Sequence, residues 1–210
     1  MNAMVIGAAG FVGNYLIDAI KELLFCDVCA TKLEREKPWR DDVEIVDLNI
    51  LDPEAIYSLL IEKNPKYVFH LAAQSSIAYA WKNPAMTVET NVKGALNLFN
   101  AVRRLKTPPR VLVVGSGEEY GFINPDDVPI NETSPLRPGN IYAATKICQN
   151  MMAAIYNHAY GLPLIMVRAF NHFGPKQAPQ FVASDFCRQV AMIEAGLQPP
   201  LMKVGNLEAR

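Results

Sequence analysis

No apolar run in this 210-residue chain approaches the roughly 20 residues that a membrane-spanning helix needs. The amino terminus, Met1-Asn2-Ala3-Met4-Val5-Ile6-Gly7, lacks a basic leader and enters a strand-like segment at once, so no secretory signal is expected. An excess of one charge sign is missing too. Twenty Lys and Arg against 21 Asp and Glu leave a formal net charge of −1, which gives no global pull toward nucleic acid or an acidic membrane. Histidine is scarce, at three, and cysteine numbers four. Cys26-x-x-Cys29 has redox or zinc spacing, yet no second Cys or His pair stands at ligand spacing. Free thiols in a reducing compartment are therefore expected, and no metal. The sum is a soluble cytoplasmic protein. Residues that are 50% hydrophobic and 20% charged supply a substantial core and argue against disorder.

Short apolar runs alternate with longer amphipathic ones. Ala3–Ile6, Cys26–Thr31, Val43–Val46, Tyr67–Leu71, Arg110–Val114 and Leu164–Arg168 read as strands, several of them apolar on both faces as in a covered parallel sheet. Phe11–Leu24, Pro53–Lys63, Pro84–Leu105 and Ile141–Tyr160 have helical length and period, with Asp52 and Asn83 as caps before first-turn prolines. This alternation predicts an α/β fold with a doubly wound, mostly parallel sheet. The stretch from Gly121 to Asn140 is too long for a simple connection and is expected to be functional. After about Asn171 the alternation breaks into a loop, a helix from about Phe181 to Ala195 and a short tail. The expected division is a dinucleotide-binding domain over 1–170 and a partial substrate-binding segment over 171–210.

Gly7-Ala8-Ala9-Gly10-Phe11-Val12-Gly13 follows the first strand and opens the first helix. Glycines at this place let a backbone approach a pyrophosphate whose charge sits at the helix N-terminus. At the end of the second strand, Thr31-Lys32-Leu33-Glu34-Arg35 offers a hydroxyl and cations before any carboxylate. Lys32 or Arg35 pairing with a 2′-phosphate favours NADP, with NAD possible. Asp47-Leu48 is placed to meet an adenine edge. His70-Leu71-Ala72-Ala73 ends the fourth strand, where small residues let a cofactor lie across the sheet edge. His70 itself reads as a core histidine.

Tyr142 and Lys146 are four residues apart and share a helix face. A free phenol ionises near ~10, and a neighbouring ammonium is expected to bring it down toward working range. Ser116, just past the fifth strand, lies at the carboxyl edge and can bond a reacting oxygen. Asn91 is expected to help orient Lys146 through water.

These residues together, Gly-x-x-Gly-x-x-Gly, His70-Leu71-Ala72-Ala73, Ser116 and Tyr142-x-x-x-Lys146, resemble the extended short-chain dehydrogenase/reductase family, which acts on nucleotide sugars. Gly115–Gly121, Arg168–Pro175, the Phe181–Phe186 segment and 203–209 are most similar to its GDP-sugar reductases and 4,6-dehydratases. The resemblance implies reduction of the C4 ketone of GDP-4-keto-6-deoxy-D-mannose to GDP-D-rhamnose with NAD(P)H. Tyr142 would then protonate the C4 oxygen, Ser116 would hold it, and Lys146 would bind the nicotinamide ribose and tune Tyr142. Gln74, Ser75, Asn171 and Phe181 would contact the GDP-deoxyhexulose, and the backbone near Phe170 the carboxamide. Glu118 keeps the dehydratase alternative open, because a Glu there supplies acid/base catalysis in dehydratases. The resemblance also implies a homodimer through the helices Pro84–Leu105 and Ile141–Tyr160. Family members continue past Arg210 into an Arg-Asp-Phe that binds the sugar nucleotide. The expectation is a truncated chain that binds NADP(H) and turns over poorly, or a cofactor-binding fragment.

Overall fold

A computed structural model describes residues 2–37, 40–205 and 207. The chain divides into two compact units, Met1–Phe170 and Asn171–Arg210.

The first unit is built on β1 (Asn2–Ile6), β2 (Asp27–Lys32), β3 (Glu44–Asp47), β4 (Tyr67–His70), β5 (Arg110–Val114) and β6 (Leu164–Val167). All five pairings are parallel, in the order β3-β2-β1-β4-β5-β6. This is the doubly wound arrangement, and the order reverses between β1 and β4, where such sheets open a crevice at their carboxyl ends. The reason for the unbroken apolar strands is visible in β1. Ala3 and Val5 enter the core on one sheet face with Ile17 and Ile20, whereas Met4 and Ile6 enter the other with Leu60 and Phe99. With both faces covered, no polar position is left in alternation. Cys26 and Cys29 divide between the same two faces. Both are free and buried, and burial pushes the Cys29 thiol up to about 11.

Helices α1 (Phe11–Leu24) and α2 (Pro53–Lys63) stand where periodicity puts them. Asp52 caps α2 by accepting from the Glu54 and Ala55 amides at 3.1 and 3.0 Å. A short helix, α3 (Ile77–Lys82), was not expected; six residues are too few to establish a period, although Ser76 caps it through the Tyr79 amide. The helix expected over Pro84–Leu105 is broken into α4 (Pro84–Val88), a π-helical turn (Glu89–Lys93) and α5 (Gly94–Arg103). A Cβ on Gly94 would lie 2.5 Å from the end of the Ile50 side chain, so the helix packs closely there. The extra residue of the π turn carries Asn91, which is fully buried. The long connection after β5 holds two 3₁₀ turns, Gly117–Tyr120 and Pro125–Asp127, and leads into α6 (Ile141–Tyr160), capped by Asn140 through the Ala143 amide at 2.8 Å.

The second unit holds α7 (Val182–Glu194), with Phe181 at its N-cap. Its buried Gln189 grips the tail at Lys203, donating to that carbonyl at 2.9 Å and accepting from that amide at 2.6 Å. Asn171 is exposed and Phe181 half-buried in this unit. Of the 203–209 motif, Asn206, Glu208 and Ala209 lie outside the described residues.

Candidate active site

The turn from β1 into α1 is tight for reasons internal to the chain at two of its three glycines. Gly7 has φ +81°, and a Cβ there would fall 2.5 Å from the Ala72 Cα after β4. A Cβ on Gly13 would fall 1.9 Å from the Ala8 carbonyl oxygen. Gly10 is different. It has an ordinary φ of −69°, is exposed, and a Cβ would meet only the Gly7 oxygen at 3.6 Å. No side chain caps α1, so its first amides face outward past a residue that the fold itself does not require to be glycine. An uncapped helix N-terminus with an open floor fits the phosphates of a dinucleotide. Phe11 and Val12 open the helix half-buried, and the Phe11 ring stacks edge-on with Tyr15 at 5.5 Å.

Residues offered to the cofactor at the strand ends are more occupied than their types suggest. The Thr31 hydroxyl is buried and accepts from the Gly7 amide at 3.1 Å, so it braces the glycine turn instead of pointing at a ligand. Lys32 is buried against Asp47 in an ion pair and also donates to the Leu33 carbonyl at 3.3 Å. A free Lys32 cation is thus corrected to a Lys32–Asp47 pair; Asp47 remains exposed and Arg35 is exposed as well. Leu48 turns its side chain into the core, leaving only backbone at the edge. Leu71, Ala72 and Ala73 are partly buried after β4, Leu71 extending the sheet by donating to the Ile6 carbonyl at 2.9 Å.

The direct bonds of Asn91 run to Gln74 and Thr145. It donates to the Gln74 carbonyl and the Thr145 hydroxyl at 3.0 Å each and accepts from the Gln74 amide at 2.8 Å. Its role is to lock α6 to the loop after β4. The Gln74 side chain is spent locally on Ser76 and on Thr87 at 3.1 Å, while Ser75 is exposed.

Ser116, Tyr142 and Lys146 come together at the carboxyl edge. The Ser116 side chain stands beside the Tyr142 hydroxyl and pulls its ionisation down, while the Ser116 oxygen accepts from the Glu118 amide at 3.2 Å. Lys146 is buried, donates to the Val114 carbonyl at 2.8 Å, and sits 6.0 Å from the Tyr142 ring centre. Burial pulls its ammonium down to about 8, against the opposing pull of Glu119. The expectation that the ammonium would lower the Tyr142 ionisation is not met in this arrangement. Burial dominates and pushes the phenol up, the neighbouring Ser116 side chain opposes it, and Glu118 and Glu119 add to the rise. The reason is geometric: Lys146 is tied to β5, not to the hydroxyl. Glu118 is exposed and accepts from the Asn140 amide nitrogen at 3.0 Å. Phe170 stacks on Tyr120 at 6.2 Å between ring centres, and Gly117 leaves it room, since a Cβ there would lie 3.0 Å from that ring.

Two charged or polar groups at this edge were not read from sequence as part of the site. Glu119 is wholly buried and pairs with Arg168 at 3.1 Å. His70 is wholly buried beside Lys146 with neither ring nitrogen hydrogen-bonded, and burial followed by the Lys146 charge takes it down to about 3. Among the described residues no cluster of His, Cys, Asp and Glu could hold a metal, and no helix is long and apolar enough to cross a membrane.

A doubly wound sheet with an uncapped glycine turn at its switch point, and Ser, Tyr and Lys gathered on the same edge, defines the Rossmann-type epimerase and dehydratase enzymes of the extended short-chain dehydrogenase/reductase class. The chain belongs to the GDP-mannose 4,6 dehydratase family, whose model matches residues 4–210. It is 30% identical over 204 residues to the GDP-6-deoxy-D-mannose reductase of Pseudomonas aeruginosa, covering 97% of this chain and 63% of the relative. It is 32% identical to UDP-glucuronate 4-epimerase 2 of Arabidopsis thaliana, covering 90% of this chain and 46% of that one. The structure of RMD from Pseudomonas aeruginosa complexed with NADPH superposes with a TM-score of 0.82 at 28% identity, over 99% of this chain and 64% of that one. The chain therefore spans less than two thirds of the length of these relatives.

Proposed function

We propose that the chain carries the cofactor-binding and proton-transfer machinery of a nucleotide-sugar reductase that reduces the C4 ketone of GDP-4-keto-6-deoxy-D-mannose to GDP-D-rhamnose. The observation that carries this reading is the gathering of Ser116, Tyr142 and a buried Lys146 on the edge where the uncapped α1 turn opens. Gly7, Gly10 and Gly13 with the amides of Phe11 and Val12 would hold the pyrophosphate. The Lys32–Asp47 pair would meet the adenosine ribose, and Ala72, Ala73, Lys146 and Phe170 would border the nicotinamide. NADP is favoured, supported by the NADPH held by the Pseudomonas aeruginosa neighbour, with NAD second. When bound, the nicotinamide supplies a hydride to the carbonyl carbon.

The chain's own residues handle the proton. Negative charge develops on the ketone oxygen during reduction, so a donor aimed at that oxygen lowers the barrier. Ser116 supplies a hydrogen bond to it. Tyr142 gives it the phenolic proton, which burial keeps on the hydroxyl at neutral pH until the charge developing on the ketone oxygen draws it off. The Lys146 ammonium, populated at neutral pH and held by the Val114 carbonyl, would bind the nicotinamide ribose.

Glu118 supports a second reading, GDP-mannose 4,6-dehydration, because its carboxylate stands exposed two residues from Ser116. One pair of assays separates the two. NADPH consumption with the 4-keto sugar is expected of the reductase, and no 4-keto product from GDP-mannose without added reductant. The reverse pattern would establish the dehydratase.

Homodimerisation is proposed as well, supported by Met86 and Val88 on α4 and Met151 and Ile155 on α6, which leave apolar surface exposed on helices that pack together.

A further inference from the structure

A carboxylate with no solvent exposure is costly unless its oxygens are fully used. Glu119 uses both. One oxygen accepts from the Ser116 amide at 2.8 Å and from the Asn150 side chain at 2.8 Å. The other accepts from Asn150 at 2.9 Å and from Arg168 at 3.1 Å. Ser116 follows β5, Asn150 lies on α6 two turns beyond Tyr142, and Arg168 follows β6, so one side chain ties together the ends of two strands and a helix. The tie to α6 is kept at a cost, since the carbonyl oxygen of Asn150 is buried without a partner. Gly115 is shaped around it: a Cβ there would fall 2.3 Å from the Glu119 carboxylate and 2.5 Å from the Asn150 amide. A plain ion pair with Arg168 would need neither the Ser116 bond nor the Asn150 bond.

We infer that Glu119 is a positioning residue, fixing Ser116 against Tyr142 by fastening the Ser116 backbone to the helix that carries the tyrosine. The inference rests on Ser116 and Tyr142 being the reacting pair. The charged and titratable groups facing that pair are Glu118 and Glu119 from the 3₁₀ turn, Lys146 from α6, and His70 from β4 behind Lys146.

The Tyr142 hydroxyl reports the geometry, because the nearby Ser116 side chain lowers its ionisation whereas the Glu119 charge raises it. A fluorinated tyrosine placed at 142 ionises in a range where the fold survives, and its ¹⁹F resonance follows that one site without cofactor or substrate. Asn150→Ala cuts the tie to α6 and leaves the Glu119 charge and its Arg168 partner in place. It is expected to move the Tyr142 ionisation upward by roughly half or more of the shift that Ser116→Ala gives, and the double variant is expected to move it no further than Ser116→Ala alone. Glu119→Gln keeps the oxygen that Ser116 and Asn150 share and removes the charge, so it is expected to move the ionisation downward. A Glu119→Gln chain that fails to fold leaves Asn150→Ala to decide. A folded Asn150→Ala protein whose Tyr142 titrates as in the parent would overturn the inference, as would Ser116→Ala leaving it unmoved. Failure of the reductase reading shows elsewhere, as an absence of NADPH binding by the parent chain.

Discussion

Gly10 and Gly13 differ by three positions and by what their missing side chains are for. Gly13→Ala drives a methyl into the Ala8 carbonyl at 1.9 Å, and a backbone oxygen cannot swing aside. It is expected to cost at least about 2 kcal/mol in urea unfolding. Gly10→Ala meets nothing closer than 3.6 Å and is expected to leave the melting temperature within about 2 °C, yet to weaken NADPH binding about ten-fold in calorimetry, because the methyl stands where the phosphates approach. Equal effects on stability and binding in the two variants would contradict this division. At Tyr142, loss of the hydroxyl removes the proton donor but no part of the cofactor turn. Tyr142→Phe is expected to lower ketone reduction by about 10²-fold or more with NADPH affinity nearly unchanged. Residue types were legible in the sequence at these positions, because glycine, tyrosine and lysine each announce a chemistry. Occupancy was not. Thr31, Lys32, Gln74 and Asn91 all carry suitable groups, and the fold spends each on a partner between 13 and 54 residues away.

Helix boundaries with a cap were legible as well, since the signal is local. Asp52 before Pro53 marks the start of α2, and Asp52→Ala is expected to cost about 1 kcal/mol by removing the acceptor for two first-turn amides. Chemical denaturation with an unchanged m-value would check it. The π turn between α4 and α5 left no comparable mark. An apolar period runs through Pro84–Leu105, and the one-residue shift that buries Asn91 is imposed by Gln74 and Thr145, neither of which is near it in sequence. Glu119 was missed for the same reason. In sequence it is one of two adjacent acids in a loop, and only the partners from α6 and β6 distinguish it from exposed Glu118.

At the scale of the molecule, the two-faced sheet accounts for most of the apolar content and places a neutral histidine in its core. His70 is taken down to about 3 when folded, whereas an unfolded histidine titrates near ~6.5. The unfolded chain therefore binds the proton first, and stability is expected to fall as pH drops from about 6.5 toward 3, by up to ~1.4 kcal/mol per pH unit. His70→Leu is expected to flatten that slope while leaving the stability above neutral pH nearly unchanged or raised. A slope as steep in His70→Leu as in the parent would assign it to other groups. The doubly wound class was legible from strand–helix alternation, whereas the strand order was not, and the switch point between β1 and β4 explains why glycine turn and Ser-Tyr-Lys cluster, far apart in the chain, face one edge. That convergence is the centre of the account, and it is tested most directly by titrating NADPH into the purified chain and into Gly10→Ala. Saturable binding to one site, weakened about ten-fold by the added methyl while the fold is unchanged, is the predicted result. Absence of binding, or binding indifferent to Gly10, would contradict it.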